Sequence, residues 1–120
     1  MTFFGVHHVQ LASPAGSEPT LREFYVGVLG MTEIPKPPVL AARGGVWFGS
    51  GGVELHLGVE ADFRPARKAH PGLLTTDLDG LVGRLHAAGV EARWDGDLPG
   101  HRRCYVDDPV GNRIELLQPL

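Results

Sequence analysis

One pattern occurs twice in this chain, in a fixed register. Val6-His7-His8-Val9-Gln10-Leu11 leads through a helical stretch to Val53-Glu54-Leu55-His56-Leu57, and His70-Pro71-Gly72-Leu73-Leu74 leads through another to Arg113-Ile114-Glu115-Leu116-Leu117. His8 and His70 lie 62 residues apart, while Gly30 and Gly89, and likewise His56 and Glu115, lie 59 apart. A repeat of this kind means that each copy is one supersecondary unit, and the copies bury their apolar faces together. Each copy also carries two side chains able to ligate a metal at matching places: His8 and His56 in the first, His70 and Glu115 in the second.

Both copies read as βαβββ. In the first, residues 6–12 are a strand, broken by Ser13-Pro14-Ala15-Gly16. Ser17 caps a helix with Glu18 and Pro19 in its first turn. Leu21, Phe24, Tyr25, Val28 and Leu29 then fall on one helical face, and Gly30 closes it. A short extended piece covers 31–34, and Pro35, Pro37 and Pro38 make the next segment a loop or irregular edge. Two strands near 43–49 and 52–59 are joined by Gly49-Ser50-Gly51-Gly52. In the second copy a strand over 70–76 precedes a helix capped by Thr76 or Asp77, with Leu78, Leu81, Val82, Leu85 and Ala88 on one face and Gly89 at its end. Strands over 90–94, 101–106 and 112–118 complete it, the last two joined by Asp107-Asp108-Pro109-Val110-Gly111. The expected organisation is a single α+β domain over residues 1–120, with module one at about 5–59, a linker at 60–69 and module two at about 70–119.

Bulk properties narrow the function. A net charge of -3 leaves no general basic surface for nucleic acid or an anionic membrane. No apolar run reaches the ~20 residues of a membrane span, and the N-terminus lacks a charged-then-apolar signal. The lone Cys104 cannot form an internal disulfide, which fits a reducing, cytoplasmic setting, and its strand-like surroundings read as a small buried hydrophobe.

His8-Val9-Gln10-Leu11, Glu54-Leu55-His56-Leu57, His86-Ala87-Ala88-Gly89-Val90 and, most specifically, Asp107-Asp108-Pro109-Val110-Gly111-Asn112-Arg113-Ile114-Glu115 resemble the vicinal oxygen chelate superfamily. That superfamily includes glyoxalase I, extradiol dioxygenases, fosfomycin-resistance enzymes and bleomycin-resistance proteins. The resemblance spans essentially the whole chain. It implies two βαβββ modules forming a cupped mixed sheet, a divalent metal held by His8, His56, His70 and Glu115, a small-molecule substrate and a homodimer. Each cup is built either from both modules of one chain or from modules exchanged between two chains.

The donor types agree. Imidazole and carboxylate suit Fe, Mn, Ni, Co or Zn, and no thiolate marks a soft-metal site. Strand alternation places Gln10 with His8, Glu54 with His56, and Arg113 with Glu115, so Gln10, Glu54 and Arg113, together with Arg103, are the candidate substrate-binding residues. Glu115 and His56 are the candidate catalytic residues. Four protein ligands leave two positions for adjacent substrate oxygens, a lyase or isomerase arrangement. Three, His8, His70 and Glu115, leave room for dioxygen as well, as in an extradiol-type dioxygenase. Glyoxalase I typically has glutamate where this chain has His56. Fosfomycin-resistance enzymes generally have threonine where it has Gln10, and they use a lysine-rich pocket, whereas Lys36 and Lys68 are the only lysines here. A third alternative is metal-free sequestration of a ligand in a cleft lined by Trp47, Phe48, Trp94 and Tyr105. His7 is expected on the face opposite His8, His86 on the surface, and His101, Arg64, Arg67 and Lys68 in solvated loop or linker.

Overall fold

In the computed structural model, which describes residues 2–120, the repeat becomes two four-stranded sheets of the same order. Module one runs β1 (Val9–Ser13), α1 (Glu18–Arg22), β2 (Thr32–Ile34), α2 (Pro38–Ala41), β3 (Val46–Ser50) and β4 (Val53–Val59). Module two runs β5 (Gly72–Leu74), α3 (Leu78–Ala87), β6 (Arg93–Asp95), β7 (His101–Asp107) and β8 (Arg113–Pro119). The sheet orders are β1-β4-β3-β2 and β5-β8-β7-β6. The first and last strands of each module pair in parallel and the others antiparallel. Parallel pairing needs a crossover, and the helix between the strands supplies it.

The period-2 pattern decides which face of each sheet is buried. In module one Val46, Phe48, Leu55 and Leu57 lie under Leu21, Phe24 and Tyr25. In module two Cys104, Val106, Ile114 and Leu116 lie under Leu78, Leu81 and Leu85, and all of these join one buried cluster. The opposite face of each sheet carries His56 or Glu115. Cys104 is fully buried, and burial pushes its thiol above the usual range.

Helix α3 has the anticipated ends. The Asp77 side chain accepts from Gly80 N, and Gly89 takes the left-handed conformation at φ 81°. Helix α1 departs from expectation. After Arg22 the chain widens into a π-wound stretch, Glu23–Val28, with Leu29 N donating to Phe24 O at 2.9 Å. The wider turn breaks the 3.6-residue period, so Leu21, Phe24 and Tyr25 are buried while Val28 and Leu29 are only half-buried. The Pro35–Pro38 segment is not all loop, because Pro38 starts the short helix α2, where its missing N–H costs nothing. Among the described residues no helix is long and apolar enough to cross a membrane.

The Asp107–Asn112 turn joins the modules. Asp108 is buried and accepts from Tyr25 OH of module one at 2.7 Å, and from Val110 N, Asn112 N and Asn112 Nδ2 at 3.0, 2.8 and 3.0 Å. Asn112 Nδ2 also donates to Ala12 O of β1 at 2.9 Å. The most specific sequence segment is thus a hydrogen-bonded joint, and a buried polar network of this kind is stable only when its members are satisfied.

Candidate functional site

In module one the central strand β4 places His56 opposite Gln10 on one side and Trp47 on the other. Trp47 and His56 stack with ring centroids 3.9 Å apart and 6° between planes, and His8 and His56 at 4.0 Å and 14°. Because β4 lies between β1 and β3, the His56 ring is sandwiched between Trp47 and His8, and only its edges are free to react. His56 Nε2 meets Glu54 Oε2 at 2.7 Å. A carboxylate only accepts, so Nε2 carries the proton and Nδ1 the lone pair. Burial is the main influence that lowers the His56 pKa; the Glu54 hydrogen bond opposes it without offsetting it. The same hydrogen bond holds Glu54 below the ordinary carboxylate range. His56 is therefore a neutral, oriented imidazole.

In module two the corresponding strand β8 places Glu115 opposite Gly72 and Tyr105. A side chain at Gly72 would press on Leu117 and approach the carboxylate, with Leu117 Cδ1 at 3.2 Å and Glu115 Oε1 at 3.7 Å from the added Cβ. His70 Nε2 meets Glu115 Oε1 at 2.8 Å, and Arg103 donates to Glu115 Oε2 at 3.0 Å. Arg103 also reaches Asp95 Oδ1 at 3.2 Å, while its Nε is buried without a partner. Burial pushes the Glu115 carboxyl up, but the hydrogen bonds and charges of His70 and Arg103 outweigh it and hold the group below its ordinary value. Asp95 is also held low, first by the backbone N–H of Asp97 and then by Arg103. Arg113 lies over the Tyr105 ring at 4.0 Å and donates to Arg67 O at 3.2 Å.

His70 has an unusual hydrogen-bond inventory. Its Nδ1 faces Lys68 O at 2.7 Å while its Nε2 faces the Glu115 carboxylate. Both neighbours are acceptors. A neutral imidazole has one N–H and can donate to only one of them, which leaves its other nitrogen facing an oxygen acceptor.

The four expected ligands thus fall into two pairs on two sheets. Among the described residues of one chain, no three His, Cys, Asp or Glu side chains converge into a group that could hold a metal. Gln10 borders both the His8–His56 cleft, about 400 Å³, and the cleft beside His70, about 380 Å³, which Arg113 also lines. Glu54 is bonded to His56, and the two terminal nitrogens of Arg103 are bonded to Asp95 and Glu115.

Other residues lie differently from expectation. His7 lines the same cleft as His8 and shares a 2.9 Å ring-nitrogen contact with it, because strict alternation starts only at Val9. Of the four aromatics, Trp47 lines that cleft, Phe48 is in the core, Tyr105 lies beside His70, and Trp94 packs under Arg102 on the other side of its strand. His86 is exposed with Glu91, and His101 begins β7 rather than lying in a loop. Arg67 is tied to Asp107 and to Gly111 O, and Arg64 borders the His70 cleft. Lys36 and Arg43 line the His8–His56 cleft and were not singled out from the sequence. Their only sequence signal was a pair of cations flanking the Pro-rich segment.

No protein-family profile matches this chain, and no curated protein does either. Solved structures do match. A Bacillus anthracis protein assigned to the glyoxalase family is 44% identical with a TM-score of 0.95, over 98% of this chain and 97% of that one. TnmS3, an antibiotic-binding protein from Streptomyces sp. CB03234, is 25% identical with a TM-score of 0.75, over 100% and 99% of the two chains. FosX, a genomically encoded fosfomycin resistance protein from Listeria monocytogenes, is 17% identical with a TM-score of 0.77, over 98% and 95%, a likeness of fold alone.

Proposed function

Because the chain belongs to the glyoxalase family, within the vicinal oxygen chelate superfamily, we propose that it is a divalent-metal-dependent enzyme performing lyase or isomerase chemistry on a small substrate with adjacent oxygens. The observation that carries this reading is His70, held between two acceptors with its Nε2 aimed at Glu115 Oε1. A nitrogen and a carboxylate oxygen facing each other in this way suit Fe, Mn, Ni, Co or Zn. The Lys68 carbonyl and Arg103 fix the orientation of the pair from behind, as outer partners of ligands do. His8 and His56 are the matching donors of the other module. A divalent ion, when bound, supplies Lewis acidity toward the adjacent substrate oxygens.

Each module of one chain supplies two of the four expected ligands, and the two pairs do not converge within one chain. We therefore assign the complete set to two copies: His8 and His56 of one chain with His70 of the partner subunit and Glu115 of the partner subunit. A homodimer is part of this reading, and exchange is the arrangement that the separation of the pairs favours. Within the cup, Glu54 keeps His56 protonated at Nε2, so its Nδ1 serves as a ligand or takes up a proton. Gln10 and Arg113 border the substrate, and Arg103 acts on it through Glu115.

A second reading, ligand sequestration without metal, is favoured by the covered faces of His56 and by the likeness to an antibiotic-binding protein. Metal analysis of protein purified without chelator separates the two. The enzyme reading expects about one divalent ion per chain, lost in Glu115→Ala and in His8→Ala. Mixing those two variants tests the exchange. Mixed dimers with exchanged modules regain one intact cup in two, and so about half the metal of wild-type dimers, whereas unexchanged cups regain none. No metal after reconstitution with any of the five ions leaves the sequestration reading.

A further inference from the structure

The His8–His56 cleft has a charge bias that the metal reading does not use. The chain carries a net charge of -3, yet the cationic and imidazole side chains lining this cleft are Lys36, Arg43, His7, His8 and His56, with no Asp or Glu in its wall. The nearest carboxylate, Glu54, is bonded to His56. Of the chain's 11 Lys and Arg, Arg22, Arg67, Arg93, Arg102 and Arg103 are paired with carboxylates. Lys36 and Arg43 have no such partner among the described residues, and the Arg43 guanidinium has no hydrogen-bond partner either.

The segment that carries them is held in place. Pro35, Pro37 and Pro38 restrict one end. At the other end Gly45 takes φ 83°, and a Cβ there would run into Leu57 O of β4, so only glycine lets the backbone lie this close. Lys36 Nζ donates to Gly44 O across the segment, and it lies 5.8 Å from the centroid of Trp47. Leu40 and Trp47 add apolar surface to the same cleft. A cleft of about 400 Å³ lies at the small end of the range for ligand pockets, roughly 300–1,000 Å³.

We propose that this cleft selects a small organic acid, whose carboxylate is held by Arg43 and Lys36 and whose apolar body of about one ring lies along Leu40 and the edge of Trp47, directing its other end toward His8 and His56. Cations without a carboxylate partner at the rim of a cleft raise the local concentration of anionic ligands, and a guanidinium matches a carboxylate in two-point geometry. The inference deepens the functional reading above, since it names the substrate class of the same cup.

The test uses the full chain in chelator, so that it reads the organic acid and not the metal. A Trp94→Phe background leaves Trp47 as the one tryptophan reporter. Benzoate, phenylacetate and hydrocinnamate are titrated against their neutral amides and against benzylamine. The expected result is at least tenfold tighter binding of one or more acids than of the matching amide. Arg43→Met abolishes that preference, Arg43→Lys keeps part of it, and thermal unfolding is unchanged in both. Lys36→Met gives a second loss of preference, read together with its unfolding curve because Lys36 also ties the segment to Gly44. Equal binding of acids and amides, preference for the amine, absence of saturation by every acid at tens of millimolar, or an acid preference that survives Arg43→Met each overturns the proposal. Metal content is measured on the same preparations, so a chain that binds metal but not acids is distinguished from one that does the reverse.

Discussion

At the matching central-strand position, module one holds His56 between two rings, whereas module two holds Glu115 between an imidazole and a guanidinium. The sheet order is the same and the cross-strand neighbours are not. Trp47 covers a face of His56 and helps keep it neutral; its counterpart Tyr105 lies beside Glu115 and leaves room for Arg103, which keeps Glu115 ionised. The turns differ as well. Gly51-Gly52 makes a tight hairpin in module one, while Asp107–Asn112 in module two carries the joint that fixes one module against the other. A repeated backbone thus fixes where a residue sits, and the burial and hydrogen-bond partners around it set the direction in which its pKa moves.

The strongest way to break this comparison is to cut the joint. Asp108→Ala strips the acceptor from Tyr25, Val110 and Asn112 in a buried place, and should cost about 3 kcal/mol or more in urea denaturation. A loss under about 1 kcal/mol would show that the network does not bind the modules together. Next in size is Arg103→Met, which leaves Glu115 and Asp95 without a shared cation. It should cost about 1–3 kcal/mol and raise the Glu115 pKa, followed by carboxyl NMR, while the His56 titration stays put. Movement of both groups would mean that the half-sites are coupled.

Trp47→Leu sharpens the comparison from the other side. Uncovering His56 should move its titration up toward about 6.5 in an imidazole NMR titration. The same cause predicts a pH dependence. With its pKa lowered, His56 binds fewer protons in the folded chain than in the unfolded one. Its contribution to stability is complete above about 6.5 and falls away as the pH drops through the lower folded value. Unfolding free energies measured across that range should show this slope in the wild type and lack it in His56→Gln. The smallest effect belongs to Arg102→Ala. Its pair with Asp79 is exposed at the surface, so the urea unfolding midpoint should stay close to that of the wild type. A larger change would place Arg102 and Trp94 in a role that their surface position does not suggest.

Much of the fold was legible because it rests on local rules. The register between His56 and Glu115, the cap at Asp77, the glycine end at Gly89 and the alternation in β4 and β8 each follow from spacing and residue type. The misses have equally specific causes. His7 escaped because alternation was extended past the strand's start, α2 because three prolines concealed a helix that begins on one, and the π-wound stretch because its hydrogen bonds differ from an α-helix without any change in composition. Lys36 and Arg43 were invisible as site residues because they border the His8–His56 cleft only through the tertiary course of 35–45.

The sequence by itself determined the two modules, which residues share a face of each strand and the four candidate ligands, because strand and helix periodicities are short-range and the repeat checks each reading against its twin. Only the tertiary structure decided that these ligands form two pairs on separate sheets, that His56 is sandwiched, that Glu115 is bonded to Arg103, and that Asp108 and Asn112 join the modules. Those facts depend on which strands lie side by side and how far apart the sheets stand, and contacts between residues distant in sequence set both.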